Sequence, residues 1–294
     1  MATVYDQISS NNRKAFFLIF FFLIFVIFIG WVFSYYVYDN VFILYFAVIL
    51  SSVMSFISYY ESDKIVLTMS SAVEVKKKED SLELYRIVEN LAITAGIPTP
   101  KIYILEEGQP NAFATGRDEK HAVIAVTRGL LETLNKRELS AVIAHEMAHI
   151  KGKDVLIGSI VVVLVGIIAI LSDTFMRMFF FSGSDSDNKN PIFIAFGIVG
   201  IILAPIAATL IQLAVSRKQE FKADASSILL TRDKEALISA LIKISSNRTP
   251  LKKINNATAH LYISSPLKGK VEWYSKLFMT HPPVEDRVKA LESL

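Results

Sequence analysis

Four stretches of the chain carry no Asp, Glu, Lys or Arg and consist almost entirely of apolar residues. They are Ala15–Tyr38, Val41–Tyr60, Val155–Ser172 and Pro191–Ser216, with 24, 20, 18 and 26 residues. A helix that crosses a bilayer of about 30 Å needs roughly 20 apolar residues. The pattern therefore predicts four transmembrane helices, with a buried core helix as the alternative for the short third stretch.

The four apolar stretches form two pairs, and the polar residues lie between and after the pairs. Only Asp39-Asn40 separates the first two stretches, which predicts a tight helical hairpin. The second pair interrupts the polar part of the chain. The predicted organisation is an N-terminal transmembrane hairpin in residues 1–60, the first half of a polar domain in 61–154, a second transmembrane hairpin in 155–216 and the second half of the domain in 217–294.

Positive side chains beside the apolar stretches predict the orientation of the chain. The Asp39-Asn40 turn carries no Lys or Arg, and the loop 173–190 carries only Arg177 and Lys189. Lys and Arg are more frequent beside the opposite helix ends, at Arg13, Lys14, Lys64, Lys76–Lys78, Lys151, Lys153, Arg217 and Lys218. Because cytoplasmic loops carry the excess of Lys and Arg, both termini and the polar domain are predicted to lie in the cytoplasm.

Local patterns within the polar domain predict both helices and strands. Residues Ser81–Ala95 have the apolar spacing of a helix, which Gly96 ends. Lys101–Leu105 and Ala122–Val126 read as short strands. Asn135-Lys-Arg-Glu138 is a capping-box sequence and opens a further helix. The domain is therefore expected to mix helices with a small sheet.

Composition narrows the classes of function. The mean hydropathy of +0.43 argues against an ordinary soluble globule. The net charge is +3, and no basic stripe interleaved with aromatic residues is present, so nucleic acid is not an expected partner. Cysteine is absent, which excludes disulfides and thiolate metal ligands. The expected partners are the membrane and protein or peptide substrates.

The helix that begins at Asn135 carries His145-Glu146-Met147-Ala148-His149. Residues i and i+4 share one helix face, so both imidazoles can bind one Zn²⁺ and leave positions for a third ligand and a water. Glu146 stands beside the first ligand and can act as the general base on that water. The alternative is a chance occurrence of this short pattern.

A third metal ligand is expected, because catalytic zinc usually has three protein ligands. With no cysteine, the candidates are His, Glu and Asp. Glu220 and Asp224 share a helix face after the fourth apolar stretch. Glu220 can bind the metal while Asp224 hydrogen-bonds the far nitrogen of a ligand histidine, and Arg217 can pair with Glu220 or with a lipid phosphate. The alternative is a solvated amphipathic helix at the membrane surface.

A further histidine, His281, lies in Thr280-His281-Pro282-Pro283, with Arg287 six residues later. The two prolines stiffen the chain before a last helix, so His281 can be held rigidly enough to serve a site. The alternative is a capped C-terminal helix with no role in catalysis. The residues alone leave both interpretations open.

The sequence resembles the HtpX-like membrane zinc metalloproteases, the bacterial relatives of the prenyl-protein and Oma-type proteases. The resemblance covers nearly the whole chain. It rests on the N-terminal membrane hairpin followed, in order, by Asn111-Ala-Phe-Ala-Thr-Gly116, His145-Glu146-x-x-His149, Arg217-x-x-Glu220-x-x-x-Asp224 and Thr280-His281-Pro-Pro.

The resemblance implies a fold, a ligand set and a substrate site. The expected fold class is a mostly α integral membrane protein, with four transmembrane helices and a gluzincin-like α+β zinc protease domain that the second membrane hairpin splits. One Zn²⁺ per chain is implied, with Glu146 as base. The implied roles are zinc ligation by His145, His149 and Glu220, substrate binding along an edge strand by Asn111, Ala112, Phe113 and Ala114, donation to the substrate or oxyanion by His281, and support near the zinc site by Arg287.

The function expected from these features is an endopeptidase of the bacterial inner membrane that hydrolyses misfolded or damaged membrane proteins, as part of a stress response. One alternative is a protease of lipidated protein C-termini, and another is a non-catalytic membrane scaffold with a structural metal site. The third apolar stretch begins six residues after His149, and the fourth ends just before Arg217. Both metal-bearing helices are therefore expected to continue into the membrane, with the active site close to its surface.

Overall fold

The computed structural model describes residues 4–37, 40–76, 81–181, 216–247 and 282–294, together with residues 198–199, 202–203, 206, 209–210, 258 and 261–263. The helices are α1 (Val4–Val32, continued by a π-helical turn at Phe33–Val37), α2 (Val41–Tyr60), α3 (Ser62–Met69), α4 (Leu82–Ala95), α5 (Arg128–Thr133), α6 (Lys136–Gly152), α7 (Asp154–Phe181), α8 (Arg217–Thr231), α9 (Lys234–Ser246) and α10 (Val284–Glu292). The strands are β1 (Val73–Glu74), β2 (Lys101–Leu105), β3 (Ala112–Thr115) and β4 (Val123–Thr127).

Three helices in the described part of the chain are long and apolar enough to cross a membrane. The candidate spans are Ile8–Tyr35, Val41–Tyr60 and Asp154–Thr174, which confirms the first three predicted stretches as long apolar helices. With 28 residues, α7 is about 42 Å long, so it reaches well beyond the 18-residue stretch that marked it. The fourth stretch, residues 191–216, lies largely outside the described residues.

The three long helices differ in how much of their surface the protein covers. The most apolar window of α7 is 67% buried, against 28% for the α1 span and 22% for α2. Ala15, Phe22 and Val26 of α1 pack against Leu156 and Ile160 of α7. The third predicted helix is therefore both a candidate span and a core element, to which the N-terminal hairpin attaches.

A four-stranded mixed sheet, in the order β1-β2-β4-β3, forms the centre of the polar domain. β2 and β4 are parallel, whereas β1 and β3 pair with their neighbours in antiparallel fashion. The two predicted strands are confirmed, β2 with its predicted bounds and β4 one residue later than predicted. α4 is also confirmed, ending at Gly96 with a φ of 71°, a backbone conformation that favours glycine. β3 lies at one edge of the sheet.

The two faces of the sheet are covered by different helices. Ile124 and Val126 of β4 belong to a core that includes residues of α4, α6 and α9. On the other face, Phe113 packs with Ile157 and Val161 of α7 and with residues of α3. One face thus meets the helices of the polar domain, and the other meets a candidate membrane helix.

The expected continuation of α6 into the membrane helix is wrong. α6 ends at Gly152 and α7 begins at Asp154, because Lys153 adopts a left-handed conformation with φ 57° and ψ 26°. On the other side of the site, α8 begins at Arg217 after Ser216, whose backbone is extended at φ −116° and ψ 116°. The break at Lys153 redirects the chain beside His149.

Candidate metal centre

The helix that carries the histidine pair has a fixed N-terminus. The Asn135 side chain accepts a hydrogen bond from the Glu138 amide at 3.0 Å, and Glu138 Oε2 accepts one from the Asn135 amide at 2.9 Å. This reciprocal cap confirms the predicted capping box and satisfies two N–H groups at the helix start. The cap sets where α6 begins, and thereby which of its residues face α8.

Three side chains from α6 and α8 converge on one point and form the candidate metal site. One ligand atom from each of His145, His149 and Glu220 lies within 4.8 Å of the other two. The two Nε2 atoms are 3.2 Å apart, and Glu220 oxygens lie 3.4 Å from His149 Nε2 and 3.8 Å from His145 Nε2. Two ligands at about 2.0–2.1 Å from one tetrahedral zinc ion lie roughly 3.3 Å apart. The donor set and its spacing therefore fit zinc.

A buried ion pair stands behind His145. Asp224 Oδ1 lies 3.0 Å from His145 Nδ1, on the side of the ring opposite the converging Nε2 atom. Arg287 donates to both oxygens of the same carboxylate, from Nη2 at 2.5 Å and from Nε at 2.8 Å. All three side chains are at most 2% exposed. α10 thus fixes the carboxylate, and the carboxylate fixes the ring.

The ion pair between Asp224 and Arg287 keeps both side chains charged beside His145. Burial favours the neutral acid, but the charge of Arg287 and hydrogen bonds from His145 and Arg287 lower the pKa of Asp224 to about 2. Burial likewise disfavours the guanidinium, yet Asp224, Glu220 and Glu146 keep the pKa of Arg287 above its ordinary value. Asp224 is therefore a carboxylate at any physiological pH, able to accept the Nδ1 proton of His145.

A second carboxylate, Asp154, stands behind His149 in the same way. Its Oδ2 lies 3.1 Å from His149 Nδ1. Its Oδ1 accepts hydrogen bonds from the side-chain amides of Asn11 and Gln219, each at 2.5 Å. The sequence predicted a role at the metal site for none of Asp154, Asn11 and Gln219. The one available signal was an Asp at the border between the histidine motif and an apolar stretch.

The environment of His149 in the metal-free chain favours a proton. Burial lowers the pKa of the imidazole, but the hydrogen bond to Asp154 and the negative charges of Glu220, Asp154 and Glu146 together raise it to about 9. The cluster thus attracts a cation, and a bound metal ion has to displace this proton.

The other predicted site residues fall in different places. Glu146, which follows His145 directly in the sequence of α6, is 4% exposed. Arg217 is exposed at the start of α8. His281 lies outside the described residues.

The Asn111–Ala114 segment is fully buried beside the edge of the sheet. Asn111 O accepts from Thr127 N, and Phe113 is opposite Ala125, so these two residues direct their backbone groups toward β4. In an antiparallel strand the backbone N–H and C=O groups of the alternate residues, Ala112 and Ala114, then point away from β4. The outward carbonyl of Ala112 accepts a hydrogen bond from Ile263 N at 3.1 Å.

Comparisons with known proteins agree with this site. The profile of peptidase family M48 matches residues 78–294. A protein named protease HtpX homolog from Dictyoglomus thermophilum is 43% identical over 292 residues, which cover 99% of this chain and 95% of that protein. Another protein with the same name, from Caldanaerobacter subterraneus subsp. tengcongensis, is 41% identical, and the match covers 99% of this chain and 98% of that protein.

One solved structure, that of Ste24p from S. mikatae, has a similar fold. The TM-score is 0.52 at 19% identity, and the match covers 98% of this chain and 66% of that longer chain. At this identity the likeness concerns the fold alone. The identity to HtpX homologs along the whole chain, the family match and the converging His145, His149 and Glu220 lead to one conclusion. The chain belongs to peptidase family M48, as a multi-pass membrane zinc metalloprotease of the HtpX type.

Proposed function

We propose that the chain is an endopeptidase that holds one Zn²⁺ and cleaves misfolded or damaged membrane proteins at the cytoplasmic face of the bacterial inner membrane. The observation that carries the proposal is the convergence of His145, His149 and Glu220 next to the buried Glu146. Three protein ligands leave a coordination position for water, as catalytic zinc sites do.

The reaction divides between the metal and the chain's own side chains. A bound zinc ion supplies Lewis acidity, which lowers the pKa of a bound water toward neutrality and polarises the scissile carbonyl. Glu146 is the base that takes the water proton and later gives it to the leaving amine. Asp224 and Asp154 accept from the Nδ1 atoms of His145 and His149, which keeps both Nε2 atoms directed at the metal.

Two further groups are proposed to bind the substrate. An extended peptide adds to the edge of β3 in the Asn111–Ala114 segment by β-augmentation. The carbonyl of Ala112 accepts from Ile263, so among the described residues of this strand Ala114 is the one proposed to offer its outward backbone groups to the substrate. His281 donates to the substrate carbonyl as negative charge develops, and His281→Phe is expected to keep zinc while kcat falls about 10²–10³-fold.

The membrane topology belongs to the same proposal. Four spans, with the protease domain in residues 61–154 and 217–294 and both termini in the cytoplasm, are supported by the three long apolar helices and by the distribution of Lys and Arg. Arg217, exposed at the start of α8, is placed by this topology to contact lipid phosphate. The site then lies next to the membrane surface, within reach of the cytoplasmic loops of membrane proteins.

The proposal is tested with Glu146→Gln in detergent-solubilised full-length protein. The variant should retain one zinc per chain and lose casein cleavage by about 10²–10⁴-fold, because the ligands remain and the base is gone. Glu132→Gln, which changes an exposed acid on α5, is the matched control and should cleave normally. Wild-type protein should lose activity with a chelator and regain it with zinc.

Either of two results would overturn the proposed function. The first is unchanged cleavage by Glu146→Gln. The second is wild-type protein that holds stoichiometric zinc and cleaves no unfolded protein, as expected of a scaffold with a structural metal. Cleavage of a farnesylated C-terminal peptide but not casein would favour the protease of lipidated C-termini.

A further inference from the structure

We propose that Asn11 on the N-terminal membrane helix and Gln219 on α8 are positioning residues of the metal centre, which act through Asp154 on His149. The N-terminal hairpin is then part of the zinc site as well as a membrane anchor. This inference rests on the proposed function, since it concerns the same zinc ion.

The first step is the position of Asp154 relative to His149. Five residues along an uninterrupted α-helix turn about 140° around its axis, so an i+5 residue does not share the face of residue i. The left-handed Lys153 breaks the helix between them and brings Asp154 Oδ2 to 3.1 Å from His149 Nδ1. The contact is therefore a product of the α6–α7 junction and depends on the position of α7.

The second step is what holds Asp154. Its Oδ1 accepts from both Asn11 and Gln219, and the Gln219 amide also donates to Asn11 Oδ1 at 3.1 Å. Both donors are neutral amides. Neutral amides fix the direction of the carboxylate without adding a charge that competes with His149.

The third step is that the Asn11 side chain is buried and hydrogen-bonded at the junction of α6 and α7. It is 1% exposed, while the adjacent Asn12 is exposed. A buried amide costs free energy unless its groups are hydrogen-bonded. Asn11 Nδ2 also donates to the carbonyl of Gly152 at 2.9 Å, at the end of α6, where helix carbonyls lack partners within the helix. One side chain of α1 thus closes the end of α6 and holds the carboxylate that follows it.

The test is a double-mutant cycle on zinc affinity, measured by competition with a chromophoric chelator in full-length protein. All variants carry Glu146→Gln, so that self-cleavage does not interfere and no peptidase assay is needed. Asp154→Ala should weaken zinc binding about 10–100-fold. Asn11→Leu, which is nearly isosteric, should weaken it about tenfold or less, because Gln219 still holds the carboxylate.

The result that decides is whether the effects of Asn11→Leu and Asp154→Ala on zinc affinity depend on each other. If Asn11 acts through Asp154, then Asn11→Leu should have no further effect on zinc affinity in the Asp154→Ala background. Asn12→Leu, the exposed neighbour, is the matched control and should bind zinc like the parent. Gln219→Met repeats the test from α8 if Asn11→Leu does not fold.

Two outcomes would overturn the inference. One is an equal loss of zinc affinity from Asn11→Leu with and without Asp154, which would mean a general structural role. The other is unchanged affinity in both Asn11→Leu and Gln219→Met. Failure of the proposed function looks different, since it appears as absent cleavage or absent zinc in the protein with an unaltered Asn11.

Discussion

The two histidine ligands are supported by the same chemical group, a carboxylate on Nδ1, but the two carboxylates are held in opposite ways. Asp224, behind His145, forms an ion pair with Arg287, and α8 and α10 supply both residues. Asp154, behind His149, is held by the neutral amides of Asn11 and Gln219, and Asn11 comes from the N-terminal membrane helix. One half of the metal centre is internal to the protease domain, and the other half extends to the membrane helices.

The difference has consequences for stability. Removing one partner of a buried ion pair leaves an uncompensated charge, which is strongly destabilising. Removing one of two neutral donors leaves the carboxylate with another donor. Substitutions in the Asp224 half should therefore lower the stability of the fold strongly, whereas substitutions in the Asp154 half should change mainly the affinity for metal.

The largest effect is expected from Arg287→Met, which leaves Asp224 buried without its cation, beside Glu220. Breaking a buried pair from one side costs about 3–5 kcal/mol. The thermal unfolding midpoint of the metal-free protein should fall clearly below that of Lys289→Met, an exposed cation on the same helix. Equal midpoints for the two variants would remove the distinction between the two halves.

The second largest effect should be a pH dependence of the stability of the metal-free protein that comes from His149 and not from Asp224. The pKa of His149 is raised from 6.5 to about 9, so its contribution is full below about pH 6.5 and is lost as pH rises through 9. The pKa of Asp224 is lowered to about 2, so its contribution is constant above about pH 4. Unfolding midpoints measured with a chelator should fall between pH 6.5 and 9, and His149→Gln should remove most of that fall. The same slope in His149→Gln would contradict this assignment.

Substitution of the two carboxylates should then give comparable losses of zinc affinity with different losses of stability. Asp224→Ala and Asp154→Ala should each weaken zinc about 10–100-fold, because each frees a ligand ring to turn. Asp224→Ala should also lower the metal-free unfolding midpoint more, since it leaves the buried Arg287 with only the more distant carboxylate of Glu220, 3.7 Å from Nη1. A larger destabilisation by Asp154→Ala would reverse the proposed order of the two halves.

The smallest effect is expected from Arg217→Gln. Arg217 is exposed on the same helix as Glu220 and Asp224 and belongs to neither half. Zinc affinity should change by less than about twofold, since surface charge pairs contribute little. A tenfold loss would show that Arg217 reaches Glu220 in solution and has to be added to the site.

Features set by short-range spacing could be predicted from the sequence. The i, i+4 pairs His145/His149 and Glu220/Asp224 each share a face, and the structure brings the two faces together. The capping box at Asn135 and the left-handed end of α4 at Gly96 follow equally local rules. Such features need only the geometry of one helix.

Features that depend on tertiary contacts could not be predicted. Asp154 reaches His149 because Lys153 is left-handed, and nothing in that residue type requires this conformation. Asn11 and Asp154 are 143 residues apart, so no local pattern joins them. An edge strand was expected over Asn111–Ala114 only through the family resemblance, since the order of strands is set by the whole domain, and the edge strand of the structure is Ala112–Thr115.

The most direct test of the account is anomalous X-ray diffraction at the zinc edge from crystals of the full-length Glu146→Gln variant loaded with zinc. The account predicts one peak per chain, bonded to Nε2 of His145 and His149 and to the Glu220 carboxylate, with Asp224 and Asp154 on the two Nδ1 atoms. A fourth protein ligand that closes the site, or a zinc ion bound away from His145, His149 and Glu220, would contradict it.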